Sequence, residues 1–438
     1  MAYSVFSFTS RANPNLLAAR MTRQQWRRNK FAQWVAPNFV KASRPSEEQG
    51  APLPGGPNWT GAPIEVHNEF VRMGRTTLDI PVRNRLVENP VYGDKPLKGK
   101  GERAVITFRT VKINYTRKAY SPPTGMSLQI VKQYADNLVE EADAYLTQWW
   151  NDYHPSNFIL TLCAGSSRDL LAPTAEGGRG VSIVSHPNFF TAGAGQVSYG
   201  GGRPGVAGYE DAVEDALNGL ADVAEDHMSV SLVRNLVIEA GRARIAPIVI
   251  TGGFEFYAIW INDSQWVQLQ EDTEWKEWMR QLPEPLKSNP LANNAMAYIA
   301  GACIYVDNSL FAAYTNAIDA NVTASTVQYG PRPTATEYAQ GFKIGSTLKA
   351  LDQGNLRVGF IVGQSAMSVG IGERMRFTEE IDDHGFLHEV GIATIQSVVR
   401  SDIYDQDGLV DGLTAGDFYE NTGSLAFATY SPFAMSWT

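Results

Sequence analysis

Apolar and polar positions alternate along this chain in two registers that change place several times. From Thr77 to Leu86 (TLDIPVRNRL) and from Ala104 to Tyr120 (AVITFRTVKINYTRKAY), β-branched and aromatic residues recur with period two, which predicts strands. In the second run the apolar parity shifts, from Ile106 and Phe108 to Val111, Ile113 and Tyr115. A β-bulge, or a strand that leaves one neighbour for another, accounts for such a shift. From Ser127 to Tyr153 the period becomes helical, with Leu128, Val131, Tyr134, Ala135, Leu138, Val139, Ala142, Tyr145, Leu146, Trp149 and Trp150 three or four apart. At about 1.5 Å per residue this helix is roughly 40 Å long, well above the average of about three turns.

Leu160 to Val206 is rich in glycine and proline and reads as loop, with a Gly-rich insert over 166–206. Two helices follow, an acidic one over Tyr209 to Asp226 and a more apolar one over Ser229 to Arg244. Pro247 to Thr251 and Phe254 to Ile261 read as strands, after which Asp263 or Ser264 is placed to cap a helix carrying Trp266, Val267, Trp275 and Trp278. Further strands are expected at Ala300 to Val306, Gly341 to Leu348, Arg357 to Val362 and His388 to Val399. Helices and strands mix without steady alternation and without an internal repeat. The class is therefore α+β, and solenoids, propellers and Rossmann-type folds are excluded.

Composition leaves this picture globular: 438 residues, 44% hydrophobic and 19% charged, lack the low hydrophobicity and high charge of a disordered chain. The most apolar run, IAPIVITGGFEFYAIWI, is interrupted by Gly252, Gly253 and Glu255 and falls short of the roughly 20 apolar residues of a membrane span. No membrane partner is expected, and no secretory signal, since no unbroken apolar stretch lies near the N-terminus. The net charge of -9 conceals an asymmetry. From Met1 to Ser46 there is no acid, but there are Arg11, Arg20, Arg23, Arg27, Arg28, Lys30, Lys41 and Arg44, interleaved with Trp26, Phe31, Trp34 and Phe39. Such a segment reads as a transit peptide, a nucleic-acid-binding tail or a structural arm that reaches across a partner. The stretch SEEQGAPLPGGPNWTGAP behind it is an extended linker.

Chemical motifs are sparse. The stretch Val91 to Glu102, VYGDKPLKGKGE, is not a phosphate loop, because a strand rather than a helix N-terminus follows it. Gly200-Gly-Gly-Arg-Pro-Gly205 lacks a leading strand. His384 and His388 have the spacing of a helical zinc pair, but Gly385 and the strand-like continuation oppose a helix. Asp402 to Gly408 suggests a calcium loop, yet aligning Gly408 with the loop glycine puts Ile403 at the first ligand position and Thr414 at the last. There is no GxSxG elbow, Cys163 and Cys303 sit in apolar runs as core residues do, and the paired acids Glu140-Glu141 and Glu379-Glu380 fit solvated faces. No catalytic, cofactor-binding or metal-ligating residue is expected, and the protein is read as no enzyme. The competing reading is an α/β enzyme or ligand-binding protein using a glycine-rich loop.

The order of these features resembles the major capsid protein of tailed bacteriophages, of HK-97-like fold, and within it the coat-protein family of N-four-type podoviruses. The strand Leu78-Asp-Ile-Pro-Val-Arg leads to a GDxxLxG tip, met by Gly93-Asp94-Lys-Pro-Leu97-Lys-Gly99 with Glu102 close behind. A strand over Val105 to Ile113 and an acid-rich helix from Glu140 to Trp150 follow. Ile248-Val-Ile-Thr-Gly with Tyr257 to Asp272, and Asn289-Pro290-Leu291, continue the likeness more loosely. It spans about 70 to 410 and is strongest over 78–165; the arm, the insert and the last 30 residues stand outside it.

The resemblance implies an N-terminal arm and linker over 1–65 and an extended hairpin, the E-loop, over 66–120. It further implies a P-domain over 121–246 with its spine helix at 127–153, an A-domain over 247–370, and a return to the P-domain with the C-terminal segment over 371–438. It implies a shell of hexamers and pentamers of this chain around double-stranded DNA held nonspecifically, with portal, scaffold or decoration proteins, assembled in the host cytoplasm and residing in the virion. A cellular nanocompartment shell of the same fold is the alternative within the resemblance. No residue pair marks an intersubunit crosslink. A projecting hairpin must bury its apolar positions on a neighbour, so Asp94, Lys95, Lys98, Lys100 and Glu102 at its tip are expected at subunit contacts. Arg23, Trp26, Arg27, Arg28, Phe31 and Trp34 of the arm are expected there too. The arm's charge faces either DNA phosphates or an acidic surface such as the stretch 210–226, and its aromatics favour the second. Deleting residues 1–46 is expected to leave a folded subunit that makes no shells.

Overall fold

The computed structural model describes residues 34, 63–67, 70, 76–83, 91–93, 106–120, 142, 144–150, 154, 158, 161–162, 186, 188–192, 216, 219–250, 254–275, 295–306, 356–382, 387–405 and 417–431. In chain order its strands are β1 (Ile64–His67), β2 (Thr77–Arg83), β3 (Ile106–Lys112), β4 (Asn114–Tyr120), β5 (Phe189–Thr191), β6 (Ile248–Ile250), β7 (Phe254–Ile261), β8 (Ala297–Ile299) and β9 (Ala302–Val306). The series continues with β10 (Leu356–Val362), β11 (Met367–Asp382), β12 (Leu387–Arg400), β13 (Asp402–Asp405), β14 (Asp417–Asn421) and β15 (Ser424–Tyr430). Two α-helices of the same series, α1 (Val230–Arg242) and α2 (Asp263–Glu271), lie among them.

The strands form three sheets. The first runs β1-β11-β12-β4, the second β14-β13-β3-β2, and the third, of seven strands, β5-β15-β10-β7-β9-β8 with β6 beside β7. The chain passes between sheets through very short links. Ile113 separates β3 from β4, residues 363–366 separate β10 from β11, Ser401 separates β12 from β13, and residues 422–423 separate β14 from β15. The run AVITFRTVKINYTRKAY does change neighbour, but at Ile113, where β3 paired to β2 gives way to β4 paired to β12. The parity shift between Phe108 and Val111 falls inside β3, whose register with β2 is unbroken, because the polar Thr107 and Arg109 take inward positions there.

The seven-stranded sheet has two buried faces. On one, Ile259, Ile261, Ala302, Ile304, Ile361, Leu425 and Phe427 pack with Val230, Val233, Leu236 and Ala240 of α1 and Leu269 of α2. Helix α1 presents those residues because they recur at helical spacing, and the Ser229 hydroxyl accepts from the Leu232 amide at 3.1 Å to start it. This core draws on both sides of position 246, since α1 precedes it and the strands follow. The opposite face carries Phe256, Ala258, Trp260, Cys303, Tyr305 and Phe360, all buried. Gly359 on β10 has no side chain because the Phe427 ring lies 2.4 Å from where its Cβ would stand. On the first sheet, helical residues Ala142, Leu146 and Trp150 cover Met375, Val390 and Ile392.

Several elements differ from the sequence expectation. The cap of α2 is Asn262, one residue earlier than expected, in a capping box: its side chain accepts from Gln265 N at 2.9 Å and Gln265 Oε1 accepts from Asn262 N at 3.1 Å. The strand expected over 300–306 is β9 from Ala302 onward, and its first two positions, Ala300 (φ 49°) and Gly301 (φ 92°), form the left-handed turn that joins it to β8. Of the acidic helix over 209–226, Ala216 is helical but Gly219 begins a turn, and 224–226 is a short 3-10 helix. The stretch read as loop from Leu160 contains helical Thr161 and Leu162 and the strand β5. Of the 127–153 helix, residues 142 and 144–150 are described, and all are helical. The strand expected at 341–348 and most of the insert lie outside the described residues.

Candidate functional site

Strands β2 and β3 form the base of the hairpin, in register from Thr77↔Lys112 to Arg83↔Ile106. On β3 the inward positions Thr107, Arg109 and Val111 are buried, whereas Thr77, Asp79 and Pro81 on β2 are exposed. Strand β2 ends its sheet, and Pro81, which has no amide hydrogen to donate, suits such an edge. Thr110 Oγ1 donates to Asp79 Oδ1 at 2.7 Å on the outer face. Tyr92, in the connection from β2 to β3, is 77% exposed.

The hairpin meets the body where the three sheets come together, and the contact has an apolar and a polar part. Val111 and Ile113 press onto β11 at Gly370 and Gly372: a Cβ on Gly370 would stand 2.8 Å from Ile113 Cγ2, and one on Gly372 2.7 Å from Ile113 Cδ1. Glycine at both positions is what lets the sheets approach. Beside them a closed ring of polar contacts joins four chain segments. Arg109 Nη2 on β3 pairs with Glu65 Oε2 on β1, and Arg109 Nη1 donates to Ser401 Oγ at 3.0 Å. Ser401 Oγ donates to the Ser365 carbonyl, and Ser365 Oγ donates to Glu65 Oε1 at 2.5 Å. Ser365 holds a left-handed backbone (φ 51°) in the link between β10 and β11. Burial alone would raise the Glu65 carboxyl, but the Arg109 charge, with the His67 imidazole 3.5 Å away and a hydrogen bond from Ser365, brings it down to about 2.

A second polar group lies along the same junction. Arg400 donates to both oxygens of Asp402, at 2.8 and 2.7 Å, and Asn421 Nδ2 donates to Asp402 Oδ1 at 2.6 Å. Asn421 Oδ1 accepts from the amides of Gly423 and Ser424, each at 3.0 Å. Asn188 Nδ2 donates to the carbonyls of Asn421 and Ser424, tying β5 to the turn before β15. His186 Nδ1 accepts from the Asn188 amide at 3.0 Å, and burial with the Arg400 charge holds this imidazole well below its ordinary pKa.

The expected site residues divide sharply. Asp94, Lys95, Lys98, Lys100, Glu102, Arg23, Trp26, Arg27, Arg28 and Phe31 lie outside the described residues. Trp34 does not stand free for a neighbour. It is 1% exposed in its own chain, with ring centroids 4.8 Å from Tyr305 and 5.6 Å from Trp260, because the second face of the seven-stranded sheet needs an apolar cover. The sequence reading missed the polar ring altogether. A buried pair of opposite charge leaves no local pattern when its members lie 44 residues apart.

His388 lies on β12 opposite Ile381, and His384 lies outside the described residues. Asp402 is engaged by Arg400 and Asn421, and residues 406–416 lie outside the described residues. Among the described residues, no three His, Cys, Asp or Glu gather to hold a metal ion. Cys303 is buried and its thiol is pushed up to about 12 by that burial, which suppresses the thiolate. No helix of the described residues is long and apolar enough to cross a membrane.

No family model and no curated protein matches the chain. Solved structures do. The chain is similar to the capsid of Ralstonia phage GP4, with a TM-score of 0.53 and 16% identity over 85% of this chain and 88% of that one. It is similar to the capsid of cyanophage Pam1, with a TM-score of 0.51 and 16% identity over 85% and 89%. The acid-stable capsid of Helicobacter pylori bacteriophage KHP30 gives 0.52 and 12% over 84% and 88%. The mixed α+β fold is therefore the bacteriophage capsid fold that the resemblance implied.

Proposed function

We propose that this chain is the major capsid protein of a tailed bacteriophage and that copies of it assemble into the icosahedral shell enclosing double-stranded DNA. The observation that carries the reading is the fold likeness to three phage capsids over more than four fifths of the chain. An extended hairpin whose base is buried in the body and whose outer strand is exposed fits it, since such a hairpin finds cover on a second copy. The role is structural. The first sheet with its helix serves as the P-domain, the seven-stranded sheet with α1 and α2 as the A-domain, and β2–β3 as the base of the E-loop. The limits 1–65, 66–120, 121–246, 247–370 and 371–438 are kept as the reading's outline, and strand pairing and packing favour moving α1, β5 and β15 to the A-domain and β1, β4 and all of β11 to the P-domain.

In this reading Asp94, Lys95, Lys98, Lys100 and Glu102 meet a neighbour across the shell. In the arm, Trp34 is a pin on the subunit's own sheet, and Arg23, Trp26, Arg27, Arg28 and Phe31 reach beyond it. The N-four-type subfamily rests on the GDxxLxG tip at 93–99. Portal, scaffold and decoration proteins, and assembly in the host cytoplasm, follow from the same reading. Light scattering and electron micrographs of the purified protein test it. Closed shells of megadalton mass are expected, and soluble oligomers of a few subunits overturn it. Replacing 88–103 by a short turn is expected to preserve the thermal midpoint and abolish shells; intact shells from that variant overturn the hairpin's role.

A further inference from the structure

The ring of contacts around Arg109 does something that burial alone does not require. Glu65, Arg109, Ser365 and Ser401 are 3%, 7%, 6% and 2% exposed. Apolar residues of similar volume stabilise such a position as well as, or better than, a buried ion pair, because the charges give up their hydration. What an ion pair closed through two serines adds is direction. A methyl packed on a methyl tolerates a slide of an ångström, whereas a guanidinium donating to a carboxylate and to a hydroxyl holds its distances and its plane.

The position of the ring makes that direction consequential. Its four members belong to β1, to β3, to the link from β10 to β11 and to the link from β12 to β13, so all three sheets meet in it. Arg109 is the one charged residue among the inward positions of β3, and it sits opposite Ile80 of β2 in the hairpin ladder. Apart from the Ser397 hydroxyl, which donates to the Lys112 carbonyl at the end of β3, the neighbouring contacts are of a kind that permits tilt. Val111 and Ile113 rest on the bare backbone of Gly370 and Gly372, and β13 meets β3 in one register pair, Tyr404↔Phe108.

We infer that Arg109, clamped between Glu65 and Ser401, is a positioning residue that sets the angle at which the hairpin leaves the body, and through that angle the curvature of the shell. This rests on the capsid reading for its consequence, but the angle itself belongs to the single subunit. Loosening the clamp leaves the fold intact and lets the hairpin sample a range of directions, so shells close at more than one diameter.

The double variant Glu65→Gln with Arg109→Met removes both charges together and leaves no buried ion unpaired. Spin labels on cysteines placed at the exposed Tyr92 and Val267, in full-length subunits diluted into excess unlabelled protein, report the hairpin-to-body distance. The distribution is expected to widen about twofold while the thermal midpoint stays within a few degrees, and micrographs are expected to show mixed diameters. A distribution as narrow as that of the unsubstituted protein, or one uniform shell diameter, overturns the proposal. Should the double variant fail to fold, Ser401→Ala opens the ring at one contact and is judged by the same distance width. If the unsubstituted chain makes no shells, the capsid reading falls, whereas the distance width still decides whether Arg109 sets the angle.

Discussion

The indole of Trp34 meets the ring of Tyr305 edge-on, with centroids 4.8 Å apart and planes at 75°, so a residue of the basic N-terminal segment is part of the subunit's own core. Trp34→Ala removes a large side chain that is 1% exposed. A loss of about 3–5 kcal/mol in urea unfolding is expected. A loss below about 1 kcal/mol would show that the seat collapses without cost.

The same contact revises what truncation should do. Deleting residues 1–46 takes Trp34 away and uncovers Trp260 and Tyr305, so a destabilised subunit is expected rather than a merely assembly-defective one. Deleting 1–33 spares the pin. That shorter deletion is expected to keep the full-length unfolding midpoint and to impair shell formation, as read by sedimentation.

The charge on the arm separates two surfaces. Reversing Arg23, Arg27 and Arg28 to glutamate is expected to impair assembly of empty shells, made without DNA, if those cations pair with an acidic face of a neighbour. Normal empty shells that retain less DNA as salt is raised would assign the cations to phosphates instead.

Acid should weaken the subunit in two stages. Burial holds His154 at about 3 instead of 6.5, so between those values the unfolded chain binds the proton that the folded chain refuses. Stability therefore falls as pH drops below 6.5, by at most about 1.4 kcal/mol per pH unit for each such histidine. Glu65 acts lower. Its carboxyl, held at about 2 against 4.5, contributes stability that is complete above 4.5 and is lost as pH falls towards 2. Urea midpoints measured from above 6.5 down to 4.5 are expected to decline, and His154→Phe should make that decline shallower; an unchanged slope would remove His154 from the account.

Close backbone approach makes one glycine irreplaceable. A Cβ on Gly423 would lie 2.5 Å from Ala366 Cα, in the link that joins the first sheet to the third. Gly423→Ala is expected to cost on the order of 2–3 kcal/mol in thermal unfolding, because backbone rather than a side-chain tip must move. Gly241, with open space around it and a helical backbone, should accept alanine with no loss.

Local physics was legible in the order of residues. Period-two runs marked β2 and β3 and helical spacing marked α1, but the parity shift between Phe108 and Val111 reflects polar Thr107 and Arg109 on the inner face rather than the change of sheets, which comes at Ile113. Strand β11 was not legible, because two register shifts between Ile371 and Arg376 break its alternation and its faces differ, Met375 buried under the helix and Arg376 exposed. Asn262 was missed as a cap because Asp263 and Ser264 beside it carry the same chemistry, and only the backbone angles choose among them.

Pattern and motif, then, determined the α+β class, the paired strands β2 and β3 and the resemblance to phage capsid proteins, since each follows from neighbours in sequence. The tertiary structure alone decided that Trp34 covers its own sheet and that Arg109, 44 residues from Glu65 and 292 from Ser401, closes a polar ring with them. Burial and ion pairing depend on which distant segments the fold brings within a few ångströms, and no period along the chain records that distance.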